Sequence, residues 1–426
     1  MPKKADLGQK SLGHVTEITG FSPVNCDGYH RLVCDTALLG QVSGPTMGGM
    51  PTASQLSAGT SKPTGAGRVP VSRTSGIGAA PGFKLRPLQV TWEMTRTCGW
   101  KATNSRPARS APRETNHFST AEAFHLIEDV ASMHVPLLAL TGGDPLTRPD
   151  LFPIIEFASR RSVRTSLTLL PTPNLEGSII AEMKACGLMR AGFWLHGSTP
   201  ALNDSYWGVA GLHRRTLDII GACHEVQLPV QVNTIVSKRN VQDLDSMIEL
   251  LTRLDVALWN VVFFVPASRD EAGVMLSAEE HEDVFAKLYA ASRHVHFQIK
   301  TTEGQHYQRY LLQQRVRESR GRLTEAEVMT CAPKGVNDSK GLVYINNRGK
   351  AYSSRFLPLS AGDVTRQSLS EVYCESPLFV SLRDSSRLKG KCGQCPAHAV
   401  CGGSRARAYV MTGDLFASDP CCAFEP

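Results

Sequence analysis

The sequence predicts an α/β protein built on a parallel sheet, because short apolar strands alternate with amphipathic helices from residue 88 onward. Six strand–helix units follow one another in order, which calls for parallel strands joined by right-handed crossovers. An open doubly wound sheet and a curved partial barrel both fit this order. In either fold, ligands bind at the carboxyl ends of the strands.

The strands are short apolar runs, and the helices between them carry apolar faces and recognisable ends. The predicted strands are LQVTW, PLLAL, RTSLTLL, AGFWL, PVQVNTIV, LWNVVFFV and HFQIK. Ser119 with Glu122 three residues later predicts a capping box at the start of the first helix. Further helices are predicted from Pro149, up to Gly187, around TLDIIGACHEV, through LDSMIELL, and from Ser277.

The first 87 residues differ from the rest of the chain. Between residues 41 and 80, 23 of 40 residues are Gly, Pro, Ser or Thr, and no helical or strand period is present. Such a segment buries too little apolar surface to offset the entropy cost of ordering it. We therefore predict a disordered extension over residues 1–87.

Charge and hydropathy exclude two classes of partner. Residues 1–87 carry nine Lys and Arg against four Asp and Glu, whereas the remaining 339 residues carry 37 against 35. A nearly neutral folded part argues against a nucleic-acid surface. Neither a membrane-spanning apolar run nor a signal peptide is evident, which predicts a cytoplasmic protein without a membrane partner.

The cysteines are concentrated near the end of the chain. Five of the twelve lie in the last 35 residues, which in a cytosolic protein indicates metal or redox chemistry rather than disulfides. A compact set of four thiols is available at Cys392, Cys395, Cys401 and either Cys422 or Cys421. Such a set binds an iron–sulfur cluster or zinc, and the spacing alone does not separate the two. Cys186 and Cys223 lie on apolar helical faces and are interpreted as core residues.

The segment TGGDP follows the second strand. Gly142 and Gly143 let the backbone approach a ligand closely, and Asp144 offers a carboxylate to a cationic group. A tight strand-to-helix turn without a ligand explains the same residues. At the ends of other strands stand further candidates, namely Cys98, Pro171 and Thr172, His196, Asn233 and Pro266.

Taken together, VTWEMTRTC and LTGGDPLTRPDLF resemble the radical S-adenosylmethionine (SAM) superfamily, and the likeness extends through KTTEGQHYQR and LKGKCGQCPAHAVCGGSRARAY. The chain resembles the branch with a SPASM/twitch-type C-terminal domain, near enzymes that act on heme precursors or peptides. The resemblance implies a partial (β/α)6 TIM-like barrel over residues 88–300 and a smaller cysteine-rich iron–sulfur domain over residues 301–426.

The resemblance also implies cofactors and partners. Gly142, Gly143 and Asp144 would hold the methionine end of SAM, with Asn233 and Pro266 as further cofactor contacts. An auxiliary [4Fe–4S] cluster would bind Cys392, Cys395, Cys401 and Cys422, leaving Cys421 as a spare thiol. The implied partners are a peptide or tetrapyrrole-like substrate and an electron-donor protein. Arg405 and Arg407 are either anion contacts near the cluster or arginines on a helix surface.

Two departures from the family pattern oppose SAM cleavage. The family loop C-x3-C-x2-C would place cysteines at 98, 102 and 105, but this chain has Cys98, Ala102 and Ser105. One thiolate does not replace three in holding a four-iron cluster. After the fourth strand, WLHGS replaces a polar S-x-D-G segment, and its His196 is either a ligand or a hydrogen-bonding surface residue. Three hypotheses follow: a radical SAM enzyme, a non-catalytic relative that binds a ligand, and an electron-transfer or zinc protein that uses only the C-terminal site.

Overall fold

The computed structural model describes residues 85–96, 118–321, 337–338 and 340–426. Residues 1–84, and with them nearly all of the predicted extension, lie outside the described residues. The same holds for Cys98 and for positions 102 and 105.

The fold is a parallel sheet whose strands are adjacent in chain order, as a partial barrel requires. Each strand pairs in parallel with the next, and the third and fourth strands, for example, pair from Ser166–Arg190 to Leu169–Phe193. The seven strands are β1 Gln89–Thr95, β2 Leu137–Gly142, β3 Thr165–Leu169, β4 Arg190–Trp194, β5 Val230–Val236, β6 Leu258–Phe263 and β7 Gln298–Thr302.

Helices connect these strands. They are α1 Thr120–Ser132, α2 Leu151–Arg160, α3 Gly177–Ala185, α4 Pro200–Trp207, α5 Leu212–Glu225, α6 Leu244–Arg253, α7 Ala278–Ser292 and α8 His306–Glu318. The predicted capping box is present, since Ser119 Oγ accepts from the Glu122 N–H and the Glu122 side chain accepts from the Ser119 N–H. Helix α2 begins two residues later than predicted, at Leu151, and α3 ends at Ala185 before Gly187.

The two faces of the sheet have different chemistry. One face packs against the helices through a continuous core that includes Trp92, Phe193 and Trp259. The other face is the barrel lumen, where Asn233 and Asn260 pair side by side. Cys223 is fully buried in the helix-side core and Cys186 packs against it, so the interpretation of both as core residues is confirmed.

The C-terminal part extends the same sheet from its other edge. Strand β9 (Gly341–Ile345) pairs in parallel with β1, from Gln89–Leu342 to Trp92–Ile345. The remaining strands are β8 Asn337–Asp338, β10 Lys350–Tyr352 and β11 Ser360–Asp363, and the helices are Leu369–Glu375, Pro377–Arg383, Gly390–Gln394 and Arg405–Thr412. No helix in the described part of the chain is long and apolar enough to cross a membrane.

Candidate functional site

The end of β1 and the glycine pair after β2 are in direct contact. A Cβ at Gly142 would stand 2.7 Å from both the carbonyl oxygen and Oγ1 of Thr95, so only glycine fits there. The Gly143 N–H donates to the same Thr95 carbonyl at 2.8 Å. Packing between two strand ends therefore explains Gly142, and it places the TGGDP loop beside the chain that leads to Cys98.

Asp144 is a buried carboxylate at this strand end. Its Oδ1 accepts from the Leu146 N–H at 3.1 Å, and the side chain is 1% exposed. Burial raises the pKa of Asp144, and the hydrogen bond from the Leu146 amide only partly offsets this. A buried carboxylate is costly without a cation beside it. A cationic group bound there would favour the ionised form of Asp144.

Asn233 and Pro266 also lie where ligands bind in this fold. Asn233 Oδ1 accepts from Gln231 Nε2 at 2.8 Å and from Asn260 Nδ2 at 3.0 Å. Its Nδ2 is buried and has no hydrogen-bond partner among the described residues. Pro266 is buried three residues after β6. Of the two, Asn233 offers an unpaired donor to the lumen.

An aromatic cluster closes the lumen at the carboxyl end of β4. The His196 ring lies 3.9 Å from the Tyr206 ring, 5.2 Å from Trp207 and 5.5 Å from Trp194, measured between centroids. His196 is 1% exposed, so its interpretation as a surface residue is wrong. The helix α4, which follows in the chain, supplies Tyr206 and Trp207 and covers it.

Burial and hydrogen bonding fix the protonation of this histidine. Its Nδ1 accepts from the Ile235 N–H at 3.1 Å, and burial lowers the pKa of His196 to about 3. The neutral ring therefore carries its proton on Nε2. Nε2 of His196 and Nε1 of Trp194 and Trp207 are all buried without a hydrogen-bond partner in the described chain. Three N–H donors thus share one aromatic cluster.

The C-terminal thiols form a second site. Cys392, Cys395, Cys401 and Cys422 all line one cavity. Cys421 does not line it: its side chain is buried elsewhere and donates to the Leu276 carbonyl at 3.5 Å. This arrangement favours Cys422 over Cys421 as the fourth member of the set.

Backbone N–H groups donate to two of the four cysteine sulfurs. The Gly403 N–H donates to Cys401 Sγ at 3.3 Å, and the Asp419 N–H donates to Cys392 Sγ at 3.4 Å. Burial raises the pKa of both Cys401 and Cys422, so their thiolates need a compensating charge. Across the described residues, no three His, Cys, Asp or Glu side chains stand close enough to hold a single metal ion. The four thiols instead surround a space.

A buried ionic network ties this cavity to the barrel. Arg407 donates to both carboxylate oxygens of Asp419, at 2.8 and 2.7 Å, and neither side chain is exposed. Arg407 also donates to the carbonyl of Glu303, just after β7, at 3.0 Å. Ser404 donates from its hydroxyl to the Glu303 carboxylate and from its N–H to Asp419.

The interpretation of Arg405 and Arg407 as helix-surface arginines is therefore wrong. Arg405 is 5% exposed, and its guanidinium reaches to 4.0 Å from Cys392 Sγ. The sequence reasoning assigned no role to Glu303 or Asp419. Their only signal was their position inside segments that resemble the family.

Replacement of Arg407 by methionine is expected to destabilise the fold by about 3–5 kcal/mol, because Asp419 would stay buried without its partner. The double variant Arg407→Met/Asp419→Asn should recover part of this loss. Arg214→Met breaks the exposed pair with Asp218 and should change stability by less than about 1 kcal/mol. Denaturant unfolding measures all three, and equal costs for Arg407→Met and Arg214→Met would contradict the prediction.

Comparison with known proteins decides the family. The AdoMet-dependent heme synthase of Methanosarcina barkeri is 32% identical over 340 residues, which cover 80% of this chain and 97% of that protein. The chain belongs to the radical SAM superfamily, in its SPASM branch. A second AdoMet-dependent heme synthase, from Nitratidesulfovibrio vulgaris, is 30% identical over 346 residues, covering 79% of this chain and 92% of its own.

Solved structures of the superfamily share the fold. Streptococcus suis SuiB bound to S-adenosylmethionine superimposes with a TM-score of 0.60 at 13% identity, covering 80% of this chain and 78% of SuiB. SuiB has also been solved with its precursor peptide SuiA, with a TM-score of 0.59 over 80% of this chain and 76% of SuiB. These shared folds confirm the predicted partial barrel. No family model matches the chain.

Proposed function

We propose that this chain is an iron–sulfur protein that binds a carboxylate-bearing tetrapyrrole at the carboxyl end of its barrel. The observation that carries the proposal is the cluster of three N–H donors, on Trp194, His196 and Trp207, that have no hydrogen-bond partner among the described residues. Large aromatic rings provide apolar contact for a flat macrocycle. Buried N–H donors pair well with carboxylates at its periphery. The two heme synthases described above support this ligand class.

The substitution Trp194→Phe tests the lumen site, because it keeps an aromatic ring and removes a donor that makes no bond to described residues. A hydrogen bond to a charged group contributes about 1.5–3 kcal/mol, so we expect binding of iron coproporphyrin III, followed by its absorbance, to weaken by about ten- to a hundredfold. Trp92→Phe is the matched control, since Trp92 is equally buried and its Nε1 also lacks a partner in the described chain, but Trp92 lies on the helix side of the sheet.

Trp92→Phe should leave binding of the porphyrin unchanged. Equal affinities for wild type and Trp194→Phe would contradict the assignment of the ligand to this cluster. If the protein binds a cysteine-free or apolar peptide and does not bind the porphyrin, a peptide ligand for the lumen is favoured instead.

For the C-terminal cavity we propose a [4Fe–4S] cluster held by Cys392, Cys395, Cys401 and Cys422. The four thiols surround a space rather than one point, which suits a cluster of several atoms better than a single zinc ion. The N–H groups directed at two of the sulfurs fit thiolates in a cluster. Within the proposed division of the chain, the barrel spans residues 88–300 and the iron–sulfur unit residues 301–426.

We propose that SAM binds in the barrel, at the carboxyl ends of the strands. Asp144 would hold its ammonium group, the backbone at Gly142 and Gly143 would lie beside it, and Asn233 and Pro266 would complete the contacts. When bound to a four-iron cluster, SAM supplies a carbon radical that abstracts hydrogen from a substrate. With Ala102 and Ser105 in place of two thiols, we propose that this chain binds its ligands without that reaction.

A radical SAM enzyme remains the second candidate function. The carboxylate of Asp144 favours it, because burial raises its pKa despite its hydrogen bond from the Leu146 amide, and a cationic ligand would offset that cost. An electron-donor protein would then be a required partner. Detection of 5′-deoxyadenosine after incubation with SAM separates the two candidates.

A further inference from the structure

The wall of the thiol cavity includes side chains from α8, the helix that follows β7, as well as side chains from the run of cysteines. His306 and Arg309, one helical turn apart at the start of α8, line the cavity together with the four cysteines. Both side chains are buried, with residue exposures of 0% and 3%. Neither belongs to the cysteine motif, and they follow β7 by only a few residues.

Both residues keep nitrogen atoms that the described chain leaves without a hydrogen-bond partner. These are both ring nitrogens of His306 and Nε of Arg309. Asp419 is the acidic group nearest to the histidine ring, but its Oδ2 lies 3.9 Å from Nδ1, beyond hydrogen-bonding distance. Burying such donors costs free energy unless a partner is supplied. The cavity is where that partner would lie.

The position of Arg309 is fixed by its other contacts. Its terminal nitrogens donate to Gln313 at 2.7 Å and to Glu282, and its guanidinium lies over the Phe424 ring, 5.2 Å from the centroid. Glu282 supplies the opposite charge to the guanidinium. The remaining Nε is thereby held near the cavity instead of swinging into solvent.

We propose that His306 and Arg309 donate hydrogen bonds to the sulfur atoms of the C-terminal cluster, so that α8 forms part of the cluster's binding site. This inference rests on the [4Fe–4S] cluster proposed above. Hydrogen bonds to cluster sulfurs stabilise the more negative reduced state and raise the reduction potential. His306 and Arg309 are thus positioning and tuning residues, and the cysteines alone hold the iron.

The test uses the full chain, reconstituted anaerobically, and compares His306→Leu with His306→Gln. Iron and sulfide are counted first, and each variant should retain about four irons per chain. Redox titration should then show reduction of the His306→Leu cluster to be about tenfold less favourable, a shift of about 59 mV to lower potential for one electron. Glutamine keeps an N–H donor, so His306→Gln should lie closer to the wild-type potential.

His281→Leu is the matched control. The His281 ring is almost fully buried and stands 5.0 Å from the His306 ring, but it does not line the thiol cavity. Its substitution should leave the potential at the wild-type value. An equal shift for His281→Leu and His306→Leu would mean a general packing effect and would overturn the inference.

The other outcomes are equally distinct. An unchanged potential in His306→Leu overturns the inference while the cluster itself stands. Loss of iron from both His306 variants, with the fold intact, also overturns it. A residue that only donates a hydrogen bond to the cluster is not needed to hold the iron. Stoichiometric zinc or no metal in the wild-type protein contradicts the cluster itself, whatever the variants do.

Discussion

Replacement of Cys395 by alanine is expected to remove the metal from the C-terminal cavity and to lower the stability of the segment around it. Wild-type protein should carry about four irons per chain after anaerobic reconstitution, and Cys395→Ala close to none. Metal binding to thiolates contributes directly to folding free energy. The thermal transition of the C-terminal part should therefore fall as well. Iron and sulfide analysis, with circular dichroism melting, measures both effects.

Cys421→Ala is the matched control for this experiment. Cys421 is adjacent in sequence to Cys422 and is buried, but its thiol contacts the Leu276 carbonyl rather than the cavity. Its loss should cost one weak hydrogen bond and leave the iron content unchanged. If Cys395→Ala and Cys421→Ala lose equal amounts of iron, or if neither loses any, the proposed ligand set is wrong.

The grouping of the C-terminal thiols around one cavity could be predicted because three of the four are local in sequence. Cys392, Cys395 and Cys401 lie within ten residues, and a motif of that kind is visible without a structure. The strands were predictable for a similar reason, since each is a short apolar run. Both signals depend on neighbouring residues alone.

Burial of polar side chains could not be predicted in the same way. Arginine is almost never fully buried unless it is paired. Arg407 is buried because of Glu303, which is 104 residues away, and of Asp419, which is 12 residues away. His196 follows the same logic, because its cover comes from Tyr206 and Trp207 on the next helix. Such partners are set by tertiary packing, and one sequence does not reveal the pairing.

The role proposed for His306 could not be predicted from a sequence motif. The residue lies in KTTEGQHYQR, a segment that carried only a resemblance and no ligand pattern of its own. His306 lies 86 residues before Cys392 in the sequence, yet both line one cavity, so tertiary packing alone brings them together.

The second large effect concerns SAM cleavage. Under reducing, anaerobic conditions the chain as written is expected to yield no 5′-deoxyadenosine above a cluster-free control. Cleavage needs an electron delivered through a cluster with an open iron, and that cluster needs three thiolates. The sequence supplies Cys98 alone, with Ala102 and Ser105 at the other two positions. Product formation is measured by chromatography with mass detection.

The double replacement Ala102→Cys/Ser105→Cys restores the missing thiols without changing the length of the loop. We expect the iron content to rise from about four to about eight per chain. SAM should then be cleaved slowly, because Asp144 is retained but Trp194 and His196 occupy the end of the lumen where the family carries small polar residues. Cleavage by the unmodified chain would overturn the non-catalytic proposal and establish the enzyme. Absence of extra iron in the double variant would show instead that the loop lost more than its two thiols.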